Sequence, residues 1–354
     1  MIEKEREDVP TQEEIAQAVK ISRMTVYRYL AGKRVKESTR QRIENYLKVA
    51  EYRPNLTARS LVLQHTKLIG LLVPSVSYSY YPEVVQAVQK EIRDRGYNLL
   101  LCVSEEDPVQ EKTELDLLLS IPVDGIIISP TSSSESEANC RLLTKEKPPF
   151  VMFDRYFSSV NGSFVTTDSY RASAKLVQYL VDLGHTRIAH VGGPSSNAFA
   201  AGLLRGYKST LAKNGIKEDP ALVFSTAMDG SSCGQVFEKI LGLPRRPTAI
   251  QAVNDPVAVE LLRECVRLGV RVPEDFALVG FSDSTMSGLL EVPLTTVREP
   301  TRQMAAAAVE ILFAQISTKS RSRIAKRFPG TLVIRRSSGG PLRGKKTRAR
   351  RSSA

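Results

Sequence analysis

Residues 11–30 read TQEEIAQAVKISRMTVYRYL. Thr11 is placed to cap a helix, and Glu14, three residues on, completes a capping-box pattern. Ile15, Ala16 and Val19 form an apolar stripe that breaks at Lys20–Ile21. Ser22 is placed to cap a second helix whose Val26 and Leu30 face inward. Two short helices joined by a tight turn make a helix-turn-helix. Its second helix turns Arg23, Met24, Tyr27 and Arg28 outward. Side chains at the start of such a helix reach base edges in the major groove. Arginine pairs with guanine, methionine touches a thymine methyl, and Tyr27 suits the backbone. A generic helical hairpin with a charged surface fits the same pattern.

The neighbouring residues narrow the choice. A third helix over about 36–50, with Ile43, Leu47 and Val49 apolar, closes a three-helix core. Residues 52–61, YRPNLTARSL, follow: Pro54 stops that helix and Asn55 caps a short one over about 55–62. So short a helix is unstable alone, and binding would supply its folding energy.

Beyond residue 66 the pattern changes. Apolar runs bounded by Pro, Gly or Asp recur: LIGLLVP (68–74), NLLLCV (98–103), DGIIIS (124–129), PFVMF (149–153), RIAHVGG (187–193), TAIQAV (248–253) and FALVGFS (276–282). They suit strands buried on both faces. Amphipathic stretches at 82–95, 109–119, 169–184, 200–214, 255–268 and 299–318 alternate with them. Asp168 and Gly184 bracket one as cap and stop. Repeated β-α units imply an α/β body with parallel sheets, and their number implies two lobes.

Charge follows the same division. The 354 residues carry a formal +12. Residues 1–66 hold +4, residues 67–318 hold −5 and residues 319–354 hold +13. Residues 11–66 alone hold 11 basic and 5 acidic side chains. Basic excess points to a polyanionic partner. No run approaches the roughly 18 apolar residues of a membrane span, and MIEKEREDVP is too charged for a signal peptide. No membrane association and a cytoplasmic location are expected. Cys102, Cys140, Cys233 and Cys265 lie far apart without metal or redox spacing, so reduced, buried thiols are expected. With only His65, His185 and His190, no metal ligand set emerges.

The strings IAQAVKISRMTVYRYLAGK, VKESTRQRIENYLKVAEYRPNLTARSL, KLIGLLVPS, DGIIIS, MFDR, VTTDSYRASAKLVQYLVDLGHTRIAHVGG, VNDPVAV, VPEDFALVGFSD and PLTTVREP resemble, in order and spacing, the LacI/GalR family of bacterial transcription regulators. The resemblance spans roughly residues 11–338. It implies an N-terminal helix-turn-helix head, a hinge helix, and a two-lobed body like the periplasmic sugar-binding proteins. The expected segments are a disordered 1–10, a head at 11–54, a hinge and linker at 55–66, a ligand-binding and dimerisation body at 67–340, and a disordered basic tail at 341–354. It implies base reading by Arg23, Met24 and Arg28 and backbone approach by Thr25, Arg34 and Asn55. Ser22 and Tyr27 complete the DNA-facing set, and Leu61 matches a hinge leucine that wedges into the minor groove. The implied partners are a near-palindromic double-stranded operator, a second copy of the chain, and a sugar-like effector; repression is the expected role. Lys20 stands where the family usually has a turn glycine, so it must either adopt the left-handed backbone at a cost or change the turn; the motif is expected to survive.

For the effector, the resemblance and the strand ends point to Tyr80, Tyr81, Ser129, Asp154, Asn254 and Asp255. The tyrosines suit stacking and the aspartates suit hydroxyls, although Asp154 and Asp255 also fit as turn or cap residues. Two positions depart from the family: Leu203 replaces a common arginine, and Ser282 the first of two acids. Both losses imply an atypical effector. Arg205, Arg245 and Arg246 read as solvated surface residues. No Walker lysine, G-x-G-x-x-G or G-x-S-x-G occurs, so neither an enzyme nor a cofactor is expected. The competing reading is a small-molecule-binding protein whose head docks on another protein, which a gel shift separates. The tail lacks leucine heptads, which favours a dimer over a tetramer.

Overall fold

A computed structural model describes residues 10–30, 33–50, 65–77, 80–131 and 133–339. The chain divides after Lys67 into two compact units. The expected hinge helix, with Asn55 and Leu61, and the expected disordered ends lie outside the described residues, Pro10 excepted.

In the first unit, α1 (Gln12–Ala18), α2 (Arg23–Leu30) and α3 (Glu37–Val49) surround five buried side chains: Ile15, Ala16, Val19, Val26 and Ile43. The capping box is present, with the Glu14 carboxylate accepting the Thr11 N–H at 2.6 Å. Lys20 takes φ +50°, in the region L-residues avoid, and the Ile21 N–H closes the turn onto the Ala16 carbonyl at 3.0 Å. The Arg42 guanidinium donates to the Val19 carbonyl, fastening α3 to that turn. Val49 departs from the expected core. It is 86% exposed, because it lies at the last turn of α3, away from the stripe that carries Ile43.

The second unit begins with β1 (Leu68–Val73), α4 (Tyr80–Arg93), β2 (Asn98–Val103), α5 (Pro108–Ser120), β3 (Gly125–Ile128), α6 (Ser134–Glu146), β4 (Phe150–Phe153) and β5 (Ser163–Thr167). It crosses to a second lobe of α7 (Ser169–Asp182), β6 (Ile188–Gly192), α8 (Ala198–Lys213), β7 (Val223–Ser225), α9 (Cys233–Leu241), β8 (Ala249–Ala252), α10 (Asp255–Arg267) and β9 (Ala277–Val279). After β10 (Thr296–Arg298) it returns with α11 (Thr301–Thr318) and β11 (Ala325–Phe328), then pairs β12 (Thr331–Val333) antiparallel with β10. The first lobe's sheet is parallel in the order β11-β5-β4-β3-β1-β2, and the second lobe's is parallel in the order β7-β6-β8-β9. The main chain therefore passes between lobes near 168, 299 and 329, and the C-terminal ends of both sheets border one cleft.

β2 departs from the expected double burial: it ends the sheet, and Leu101 is 41% exposed. β5, α6 and α9 escaped the sequence reading. β5 is SFVTT, too polar to look like a core strand, yet all five residues are buried because the hydroxyls are hydrogen-bonded. The four cysteines are free and buried. No described helix is long and apolar enough to cross a membrane.

Candidate functional site

On α2, Val26 points into the core, which forces the residues flanking it outward. Ser22, Arg23, Met24 and Arg28 are exposed, and Met24 keeps 65% of its surface in solvent. The Ser22 hydroxyl accepts the Thr25 N–H at 3.2 Å, capping α2. Arg28, with Thr25, borders a recess whose other walls include Arg34 and Lys36. The Lys33 ammonium lies 5.9 Å from the centre of the Tyr27 ring. The structure thus brings Thr25, Arg28 and Arg34 together and leaves Arg23 and Met24 beside them at the helix start.

The cleft of the second unit holds about 560 Å³ of empty space, open solvent included. Ser75, Glu106, Asp154, Asp229, Asn254 and Ser282 reach it from the loops that follow strands, where parallel sheets place ligands. Tyr80 and Tyr81 enter from the start of α4, Phe199 from the start of α8, and Glu299 from the crossing before α11.

At its floor the Tyr81 hydroxyl donates to Asp154 Oδ2 at 3.0 Å and lies 3.1 Å from Ser129 Oγ. Ser129 does not line the cleft; it holds Tyr81. Asp154 sits at φ +64°, a strained backbone for a non-glycine residue at the end of β4. Burial lifts its carboxyl to a pKa of about 6 against the opposing pull of Arg155. Glu299, also buried, has one oxygen on the Thr167 hydroxyl at 2.6 Å. Burial, and then the charge of Asp154, push its carboxyl well above the usual range. Arg155 is the only basic side chain on the lining, and both its terminal nitrogens are spent on Glu106, at 2.7 Å each.

Three predicted residues sit elsewhere or are already committed. Leu203 is fully buried on α8 in the second lobe's core, so its side chain does not reach the cleft. Asp255 is fully buried too, accepting from the Ser284 N–H, the Ser287 hydroxyl and the Thr296 hydroxyl. It binds its own lobe together rather than facing the cleft. Asn254 borders the cleft, but its amide caps α10 through Val257 and donates to the Met228 carbonyl. The sequence reading missed Glu106, Arg155, Phe199, Met228, Asp229, Phe281 and Glu299. Arg155, Phe281 and Glu299 carried a signal, in the quoted strings MFDR, VPEDFALVGFSD and PLTTVREP.

Comparison with known proteins follows the same division. Residues 11–55 match the model for bacterial regulatory proteins of the lacI family, and residues 177–338 match a periplasmic binding protein-like domain. The chain is 27% identical over 326 residues to the HTH-type transcriptional regulator DegA of Bacillus subtilis, covering 92% of this chain and 96% of that protein. It is 28% identical over 310 residues to the ribose operon repressor of Escherichia coli K12, covering 87% and 93%. The crystal structure of the lac repressor dimer bound to operator and the anti-inducer ONPF superposes with a TM-score of 0.80 at 25% identity, covering 94% and 99%.

Proposed function

The chain belongs to the lacI family of bacterial regulatory proteins, and from that premise we propose that it is a repressor: a dimer that holds a near-palindromic operator and releases or grips it according to a small molecule in the cleft. It is a DNA-binding transcriptional regulator, as its relatives are. The observation that carries the DNA reading is the exposed face of α2, where Arg23, Met24 and Arg28 stand over a core built from the opposite face. Two such helices related by a two-fold axis would read two half-sites about one helical turn apart. Ser22 and Tyr27 join them at the groove; Thr25 and Arg34 take the backbone.

The effector reading rests on the cleft between lobes that the chain crosses near 168, 299 and 329. A ligand that binds one lobe orientation more tightly than the other shifts the population, and only by that difference in affinity. Tyr80, Tyr81 and Asp154 supply the contacts from the first lobe, with Asn254 and Ser282 opposite.

Selection of bound duplexes from a random DNA pool tests the DNA reading. The expected result is a two-fold symmetric site whose recovery depends on Arg23. Enrichment of no sequence, or of a single asymmetric half-site, overturns it.

A further inference from the structure

The following rests on the cleft being the effector site. We propose that the effector is a cation, a protonated amine carried on a largely apolar skeleton, rather than a neutral sugar.

The charge of the lining points there first. Glu106, Asp154, Asp229 and Glu299 face one cavity, and Arg155 is the single guanidinium among them. Its bidentate pairing with Glu106 spends its hydrogen bonds there, so it reaches Asp154 through its charge alone, and among the described lining residues no cation is hydrogen-bonded to Asp229 or Glu299. Asp154 and Glu299 are 7% and 6% exposed, so water does not pay for their charge. The charge of Asp154 disfavours the ionised form of Glu299, as expected where two carboxylates share a site. A ligand ammonium would supply the missing counter-charge.

One unfilled polar atom marks where it would sit. Glu299 Oε2 takes the Thr167 hydroxyl. The Tyr80 hydroxyl, on a side chain 8% exposed, is buried without an aligned hydrogen-bond partner, although it lies near enough to Asp154 to favour the carboxylate. An ammonium has three donors and no acceptor, which matches a carboxylate oxygen, a phenol oxygen and Asp154 together.

The remaining wall is apolar. Phe199 and Phe281 meet edge to face at 5.0 Å, and Met228 lines the cavity beside them. These surfaces pack a hydrocarbon or ring, and an aromatic face attracts a cation. A neutral polyol would hydrogen-bond these carboxylates but bring them no counter-charge. The position of Glu299 also matters to regulation. It stands on the crossing before α11 and bonds Thr167 on the crossing after β5, so a charge placed on it acts where the lobes join.

Calorimetric titration of the full chain tests this with matched probes: tyramine, phenethylamine, tryptamine and agmatine, each beside its hydroxyl isostere, with ribose and cytidine as neutral references. At least one amine should bind about tenfold or more tighter than its isostere, a difference of about 1.4 kcal/mol. Glu299→Gln should cut that preference to about threefold or less, and Asp229→Asn, at a half-buried position, serves if the first variant unfolds. Isosteres binding as well as amines, a reference binding more tightly than every amine, or no binding by any probe at 10 mM (about the weakest affinity calorimetry reads) would overturn the cation. A bound sugar would do so while leaving the effector site standing. Failure of the random-pool selection would instead sink the DNA reading, whatever the titrations give.

Discussion

Ile43→Ala and Val49→Ala make the sharpest test of the head, because both residues are β-branched and share α3. Ile43 is fully buried and Val49 is 86% exposed. Removing three carbons from Ile43 forfeits about 0.8 kcal/mol each in transfer free energy. The cavity left behind adds to that, giving about 3 kcal/mol within the usual 2–5 range. Only Ile15, Ala16, Val19 and Val26 are buried around it, so little neighbouring mass can collapse into the hole. A loss of about 3 kcal/mol lowers the folding equilibrium constant of so small a unit by roughly a hundredfold. Val49→Ala removes two methyl groups from water and should stay within about 0.5 kcal/mol of wild type. Hydrogen exchange by mass spectrometry on the full chain reads both. Ile43→Ala should lose protection over 12–49 and lose selective DNA binding, while residues beyond 67 stay protected. If the two variants retain equal head protection and DNA affinity, the core assignment is wrong.

Other outcomes follow from single contacts. Arg23→Ala should lose about 1–3 kcal/mol of affinity for the selected site and little for a scrambled duplex; fluorescence anisotropy on both measures it, with exposed Arg245→Ala as the unaffected control. Gly206→Ala would set a Cβ 2.4 Å from the Tyr170 carbonyl oxygen and 2.8 Å from Ser173 Cβ, forcing α7 and α8 apart. It should cost about 1–3 kcal/mol, seen as a lower melting temperature of the body with head exchange unchanged. His190 is buried, and burial pushes its pKa down to about 4. Its folded form resists protonation, so its stabilising contribution is full above the ordinary value of 6.5 and is lost as pH falls through 4. Melting temperatures of wild type and His190→Asn should therefore converge as pH falls from 7 toward 4.5; a constant gap would refute the assignment.

What was legible in the sequence was local. Thr11 and Glu14 are three residues apart, and their mutual capping needs no other part of the chain. Lys20 forced a left-handed turn that the adjoining residues alone required. The alternation of strand and helix likewise follows from short-range pattern. What was not legible depends on which segments meet. Asp154 and Asp255 look alike, each an aspartate just after a buried strand. One opens on the cleft; the other is held by hydroxyls from 287 and 296, which the sequence does not place beside it. Glu299 and Thr167 are 132 residues apart, joined only because the chain returns to its first lobe.

That difference explains why DNA contacts and ligand contacts are specified so differently. The residues proposed to read bases, Arg23, Met24 and Arg28, lie on one helix of eight residues, so each can change without rebuilding its neighbours. The cleft draws on widely separated loops, and several of its polar groups already hold the fold together: Asn254 caps a helix and Arg155 is closed by Glu106. Replacing such a group costs stability as well as binding. On the proposal made above, ligand choice would be left to groups with capacity to spare, such as the hydroxyl of Tyr80. Leu203 shows the same constraint from the other side. An arginine there would have to carry its charge out of a core where the leucine is fully buried, so restoring the family's residue at that position would not by itself restore the family's ligand.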